Sequence, residues 1–354
     1  MIGVMKMKNK KIIIGIIGGI IIAAALAIFI TLYLVPYNKV KSEYNAAREQ
    51  FDTEATALEN INNALNDNID TLQQVITAKD IPIDEFLISS AQDVIKEARK
   101  CSEEPVPKAP RAPLSIDKVK PVALEVLKLK DTVSETADYN NKILTKLKNM
   151  EIEYRSLIDN FKTAETEVEW LGVDKENTVL RFVTKLSNSN NAILRDVKIE
   201  WVAYDADGAV VGNHSGSQPD IPANGEVYYV GGAGSANLSG TPATVEVKIT
   251  SEGLLTNRVA PKVDVGNIQL KNNGFSYHTV SAECKTDTEV KTSQLDGVFI
   301  VKDADGKIID SDFWYAENLP DTIKEEGKFI ASDDFFDLPV IPNSAEVYMY
   351  YKWD

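Results

Sequence analysis

Two tetrapeptides, Asp205-Ala206-Asp207-Gly208 and Asp303-Ala304-Asp305-Gly306, set carboxylates two residues apart ahead of a glycine, as calcium loops do. An EF-hand loop also needs an acidic first position and a Glu at the twelfth. With Gly208 sixth, Ala203 falls first and His214 twelfth; with Gly306 sixth, Val301 falls first and Asp312 twelfth. Those residues do not complete a calcium loop. The other chemistry open to the motif is a hairpin turn, in which the Asp accepts backbone N–H bonds and the Gly takes positive φ. Asp205, Asp207, Gly208, Asp303, Asp305 and Gly306 are therefore read as structural turns.

Other reactive residue types are scattered. His214 and His278 are the only histidines, and neither has a Cys, His or acidic neighbour at ligand spacing, so no metal site is assigned. "GNHSGS" at 212–217 is not a nucleophile elbow, and the glycine-rich 231–240 lacks the Lys-bearing helix of a phosphate cradle. Acid pairs such as Asp333-Asp334 abound in a chain with 53 acids, and spacing selects none of them. No catalytic residue and no cofactor is expected, so the chain reads as non-enzymatic. Aromatics are more suggestive. Phe313, Trp314 and Tyr315 are consecutive, so a strand must turn at least one outward; Phe335 and Phe336 repeat the arrangement. They form a candidate binding patch, unless the strands simply run between core and rim.

The elements that would hold these residues begin after Trp170, where hydrophobicity takes period 2. "TVLRFVTKL" (178–186), "VKIEWVAYD" (197–205), "EVYYV" (226–230) and "TVEVKIT" (244–250) read as strands. "GVFIVKD" (297–303), "KFIAS" (328–332) and "AEVYMYYKW" (345–353) repeat the scheme, with anchors offset by 98 or 102 residues. This pattern predicts two tandem antiparallel Ig-like β-sandwiches, over 169–262 and 263–354.

At Trp201, Ala203, Tyr204 and Asp205 the chain resembles the FxLYD domain, a small β-sandwich of bacterial envelope proteins; Phe299, Val301, Lys302 and Asp303 hold the matching positions of the second copy. Only the Asp and the following Gly agree in both, and Lys302 replaces the Tyr. The resemblance covers 170–262 and, more weakly, 263–354. It implies a non-catalytic, surface-exposed module in a Gram-positive type of envelope, and supplies no active-site residues.

Ahead of the strands the period is helical. Val40, Tyr44, Ala47, Phe51, Leu58, Ile61, Leu65, Leu72 and Val75 mark one helix, which "DIPID" at 80–84 ends; Asp84 is placed to cap the next. "EEPVPKAPRAP" lies in a Pro-rich linker, 102–114, and Ser115 stands where an N-cap belongs. A heptad stripe then runs from Val119 through Asn140 and Tyr154 to Val168. The expectation is a coiled-coil-like stalk over 36–168, its long helices folded back as an antiparallel hairpin or paired between chains.

From Ile12 to Val35 no residue is charged; as a helix this run is about 36 Å long, against a hydrocarbon core of roughly 30 Å. A cleavable signal peptide would have a shorter apolar region and leave "IFITLYLV" exposed, so 12–35 reads as an uncleaved transmembrane helix. Lys6, Lys8, Lys10 and Lys11 put residues 1–11 on the cytoplasmic side. Gly15 and Gly19 form a GxxxG pair that suits self-association of the anchor. The net charge is -15, and these lysines leave the remainder more acidic still, which excludes nucleic acid as a partner. Cys101 and Cys284 are too few for a disulfide framework. Together these readings predict an α + β multidomain chain held in the membrane, its bulk extracellular. It would present β modules to an envelope protein or cell-wall component, or serve as an accessory or sensor subunit of a larger membrane complex.

Overall fold

The computed structural model describes residues 21–173, 179–217, 220–233, 237–273, 277–316 and 319–351. Contacts divide the chain into two compact units, Met1–Thr77 with Ala91–Ile152 and Ala78–Ser90 with Glu153–Asp354.

Helix α1 (Ile21–Ile76) is long and apolar enough to cross a membrane. Its side chains from Ile21 to Val35 are exposed, and a π turn at Ile30–Leu34 lies within that stretch. Residues 12–20 of the expected span, the Gly15/Gly19 pair and the four lysines lie outside the described residues. Beyond Pro36 the helix buries Tyr44, Ala47, Phe51, Leu58, Leu65, Leu72 and Val75 of the predicted stripe, adds Ile69 to it, and leaves Val40 and Ile61 half-buried. Helix α2 (Glu85–Ser102) begins at Asp84, whose carboxylate accepts the Leu87 N–H at 3.0 Å, an N-cap bond. Helix α3 (Ile116–Asp159) starts after Ser115, whose carbonyl accepts the Val119 N–H at 3.2 Å.

Two expectations about these helices are corrected. The stripe does not stay helical to Val168: α3 ends at Asp159 and Glu165 opens the first strand. Val168 and Trp170 fit period 2 as well as Ala164 and Val168 fit a helix, and the strand takes them. The long helices also do not form an antiparallel hairpin. Tyr33 of α1 reaches Leu114, Tyr44 reaches Pro110, and Asn62 pairs with Asn140, so α1 and α3 ascend together. Helix α2 runs against α3, with Glu97 meeting Tyr139 and Lys146, and the Cys101 carbonyl meeting Asn140. The descent is completed by the Pro-rich connector, whose Val106, Ala109 and Ala112 pack on the α1–α3 core. Lengths explain this: about thirteen extended residues at 3.1 Å match the rise of α3 from Ile116 to Asn140 at 1.5 Å, both near 40 Å.

Beyond the helical residues 85–90 and 153–159, the other unit is antiparallel β. Its first module contains β1 (Glu165–Val173), β2 (Leu180–Asn188), β3 (Ile193–Arg195), β4 (Lys198–Tyr204), β5 (Val210–Ser217), β6 (Gly225–Ala233), β7 (Thr244–Ser251) and β8 (Leu254–Thr256). The second contains β9 (Val263–Asn272), β10 (Tyr277–Thr286), β11 (Val290–Lys291), β12 (Leu295–Lys302), β13 (Ile308–Tyr315), β14 (Thr322–Ile323), β15 (Lys328–Phe336) and β16 (Ser344–Tyr351). Sheets β1-β2-β6 and β5-β4-β7 of the first correspond to β9-β10-β15 and β13-β12-β16 of the second, with β3-β8 and β11-β14 as small companions. Phe182 of β2 meets Trp201 of β4 edge to face at 5.5 Å, and Phe299, Trp314, Phe329 and Phe335 fill the second core.

The "DIPID" segment has a second use. Ile83 bridges Leu255 of β8, with the Asp84 N–H donating to the Leu255 carbonyl and the Leu255 N–H to the Pro82 carbonyl. The two modules also share a core: Val183 of β2 packs with Val298, Ile300 and Ile308, flanked by Tyr228, Phe313 and Tyr348. The Tyr350 hydroxyl accepts the Tyr228 N–H at 3.0 Å. Strand β12 is thereby buried on both faces, which is why "VFIV" reads as a continuous apolar run while its counterpart β4 alternates.

Candidate contact surface

Each Asp-Ala-Asp-Gly segment closes a hairpin. Asp205 Oδ1 accepts the Asp207 and Ala209 N–H groups at 3.0 and 2.8 Å, and Gly208 has φ +83°. Asp303 Oδ1 accepts from Asp305 and Lys307, both at 2.9 Å, and Gly306 has φ +78°. The first Asp of each motif is thus spent on its own backbone.

The five aromatics do not form one patch. Trp314 and Phe335 are buried in the second module's core, and Phe313 packs between the modules. The side chain of Tyr315 lies outside the described residues. Of the four described side chains only Phe336 is open, at 61% exposure, because strand alternation sends it to the face opposite Phe335. It stacks at 5.2 Å on Tyr277, its cross-strand partner, and Ile330 lies exposed further along the same face of β15. Tyr277 escaped the sequence reading; the pairing of β10 with β15 brings it to Phe336. This face mixes Phe336 and Ile330 with Asp334, which accepts from the Tyr277 and Thr279 hydroxyls at 3.0 and 2.8 Å, and offers stacking and van der Waals contact at Phe336.

An ionic cluster joins the modules. Arg181 of β2 donates to Asp310 of β13 at 2.8 Å and lies 3.8 Å from Asp312. Asp333 of β15 faces Asp312 and Arg181 of this cluster; burial, then the Asp312 charge, push its carboxyl up to about 7. One of its oxygens accepts the Asp334 N–H at 2.8 Å, while the other is buried without a partner. Burial also raises Asp310, which Arg181 offsets only in part. Such a cluster can gain or lose a proton near neutrality, but no group of His, Cys, Asp and Glu fit to hold a metal occurs among the described residues.

His278 is buried, with Nδ1 2.8 Å from Asn272 Oδ1. Cys284 and Cys101 are buried free thiols; burial pushes Cys284 up to about 11 and raises Cys101, so neither is poised to react.

No family model matches the chain, and no curated protein does. Among solved structures, red sea bream transglutaminase is 11% identical, with 58% of this chain and 34% of that one covered and a TM-score of 0.19. The exo-chitosanase CsxA of Amycolatopsis orientalis is 10% identical over 51% of this chain and 25% of its own, TM-score 0.19. The β-glucuronidase of Parabacteroides merdae is 11% identical over 49% and 27%, TM-score 0.14. The chain thus spans about a quarter to a third of these proteins. Likenesses this slight carry neither fold nor activity.

Proposed function

We propose that this chain is a non-enzymatic membrane-anchored protein, N-terminus inside, that presents its β modules outside the cytoplasm for contact with a protein or cell-wall component. The observation that carries the reading is the continuity of α1: one helix supplies both an exposed apolar stretch of membrane-spanning character and the first helix of a water-compatible bundle. The acidic balance of the remainder agrees with display away from anionic lipid. The FxLYD resemblance at Trp201 to Asp205 points the same way. On the β modules, the exposed Phe336, stacked on the half-buried Tyr277, is the contact point proposed.

The test is topological. In intact, wall-stripped cells, added protease is expected to remove the β modules, and the N-terminal fragment is expected to stay with the membranes through alkaline carbonate extraction. Full protection of the modules, or release of the intact chain by carbonate, would refute the proposal.

A further inference from the structure

The parallel course of α1 and α3 forces the connector back to the level where the apolar part of α1 ends. There the Tyr33 hydroxyl donates to the Leu114 carbonyl at 3.0 Å. Phe29, Tyr33 and Tyr37 stack along one side of α1 at 5.3 and 6.1 Å, a ladder of the kind found where a span meets the headgroups. Leu114 is 85% exposed, the highest value for any large apolar side chain among the described residues. A lone exposed Leu means little on a water-facing surface, but this one is tied to a residue inside the apolar stretch. Charge singles out the same level: over 33–43 and 108–120 there are six basic side chains (Lys39, Lys41, Lys108, Arg111, Lys118 and Lys120) and two acidic ones, in a chain whose net charge is -15. Arg111, Lys118 and Lys120 are exposed around Leu114, and Lys41 lies 5.7 Å over the Tyr37 ring.

We infer that the connector tip at Leu114 docks into the headgroup region of the bilayer, its leucine entering the acyl boundary while the surrounding Arg and Lys address lipid phosphates. The chain then meets the membrane at two places, the span and this tip, which fixes the base of the bundle against the surface. The inference rests on the reading of α1 as a span and adds a second contact to it. Apolar insertion combined with basic attraction is the usual recipe for an interfacial anchor.

The full chain in nanodiscs of phosphatidylcholine and phosphatidylglycerol, labelled with an environment-sensitive fluorophore at Leu114→Cys, tests it; Phe29→Cys and Ile152→Cys, the latter exposed near the far end of α3, serve as references, and the native cysteines are buried. With lipids brominated near the top of the acyl chains, the 114 label is expected to shift blue and lose more than half its emission, while the 152 label is unaffected. Adding Lys118→Glu and Lys120→Glu is expected to reduce that quenching. An aqueous spectrum at 114 with quenching at 29 would overturn the docking and leave the span standing. Aqueous spectra at both would bring down the span as well.

Discussion

At the scale of single residues, the two Asp-Ala-Asp-Gly motifs show how the same side chain type divides into working and idle copies. Asp303 Oδ1 accepts two backbone N–H groups, whereas Asp305 supplies only its backbone to the turn and holds its side chain in solvent. Asp303→Ala therefore removes two charge-assisted bonds and is expected to destabilise the chain by about 1–3 kcal/mol. Asp305→Ala should stay within about 0.5 kcal/mol of the parent. Thermal unfolding of the detergent-solubilised chain with and without calcium checks both; equal losses for the two variants would refute this division of labour. The turn chemistry was readable because it is local, complete within five residues. The fate of Trp314 and Phe335 was not, since adjacent aromatics in a strand say that one faces out without saying which, and the choice is made by sheets distant in sequence.

At the scale of elements, periodicity located the helices and strands but not their directions. The stripes of α1 and α3 are equally consistent with parallel and antiparallel packing; what selects the parallel form is the length the extended connector must cover, together with Asn62 and Asn140. These two are buried, and Asn140 Nδ2 donates to Asn62 Oδ1 at 2.8 Å, so the pair sets the register of two otherwise apolar faces. Replacing one partner leaves the other amide buried without its bond, and Asn140→Leu should cost about 1–3 kcal/mol. Asn62→Leu/Asn140→Leu should recover most of that, while loosening the register. A double-mutant cycle by denaturant unfolding reads the coupling, and simple additivity would show that the pair does not act as a unit. Packing between modules went unread, although the unbroken "VFIV" of β12 differs from the alternating β4 in the way a strand covered on both sides must.

At the scale of the whole molecule, the two modules belong to one compact unit, joined by an apolar centre and an ionic edge. The ionic edge makes that junction sensitive to pH. Asp333 faces Asp312 of β13, Arg181 of β2 and Asp334 of its own strand, while Val280, opposite it on β10, brings no charge. Its carboxyl ionises at about 7 in the folded chain, against roughly 4 when unfolded. Between those values the folded state holds the extra proton, so stability falls as pH rises through the window and levels off above it. Ionised Asp333 then sits beside Asp312 with one buried oxygen unpartnered. Asp333→Asn removes the charge at nearly constant shape. It should raise stability by about 1–2 kcal/mol at pH 8, change little at pH 4, and flatten the decline between them. Unfolding midpoints of parent and variant across that range test the point, and an undiminished slope in Asp333→Asn would assign the pH dependence to another group.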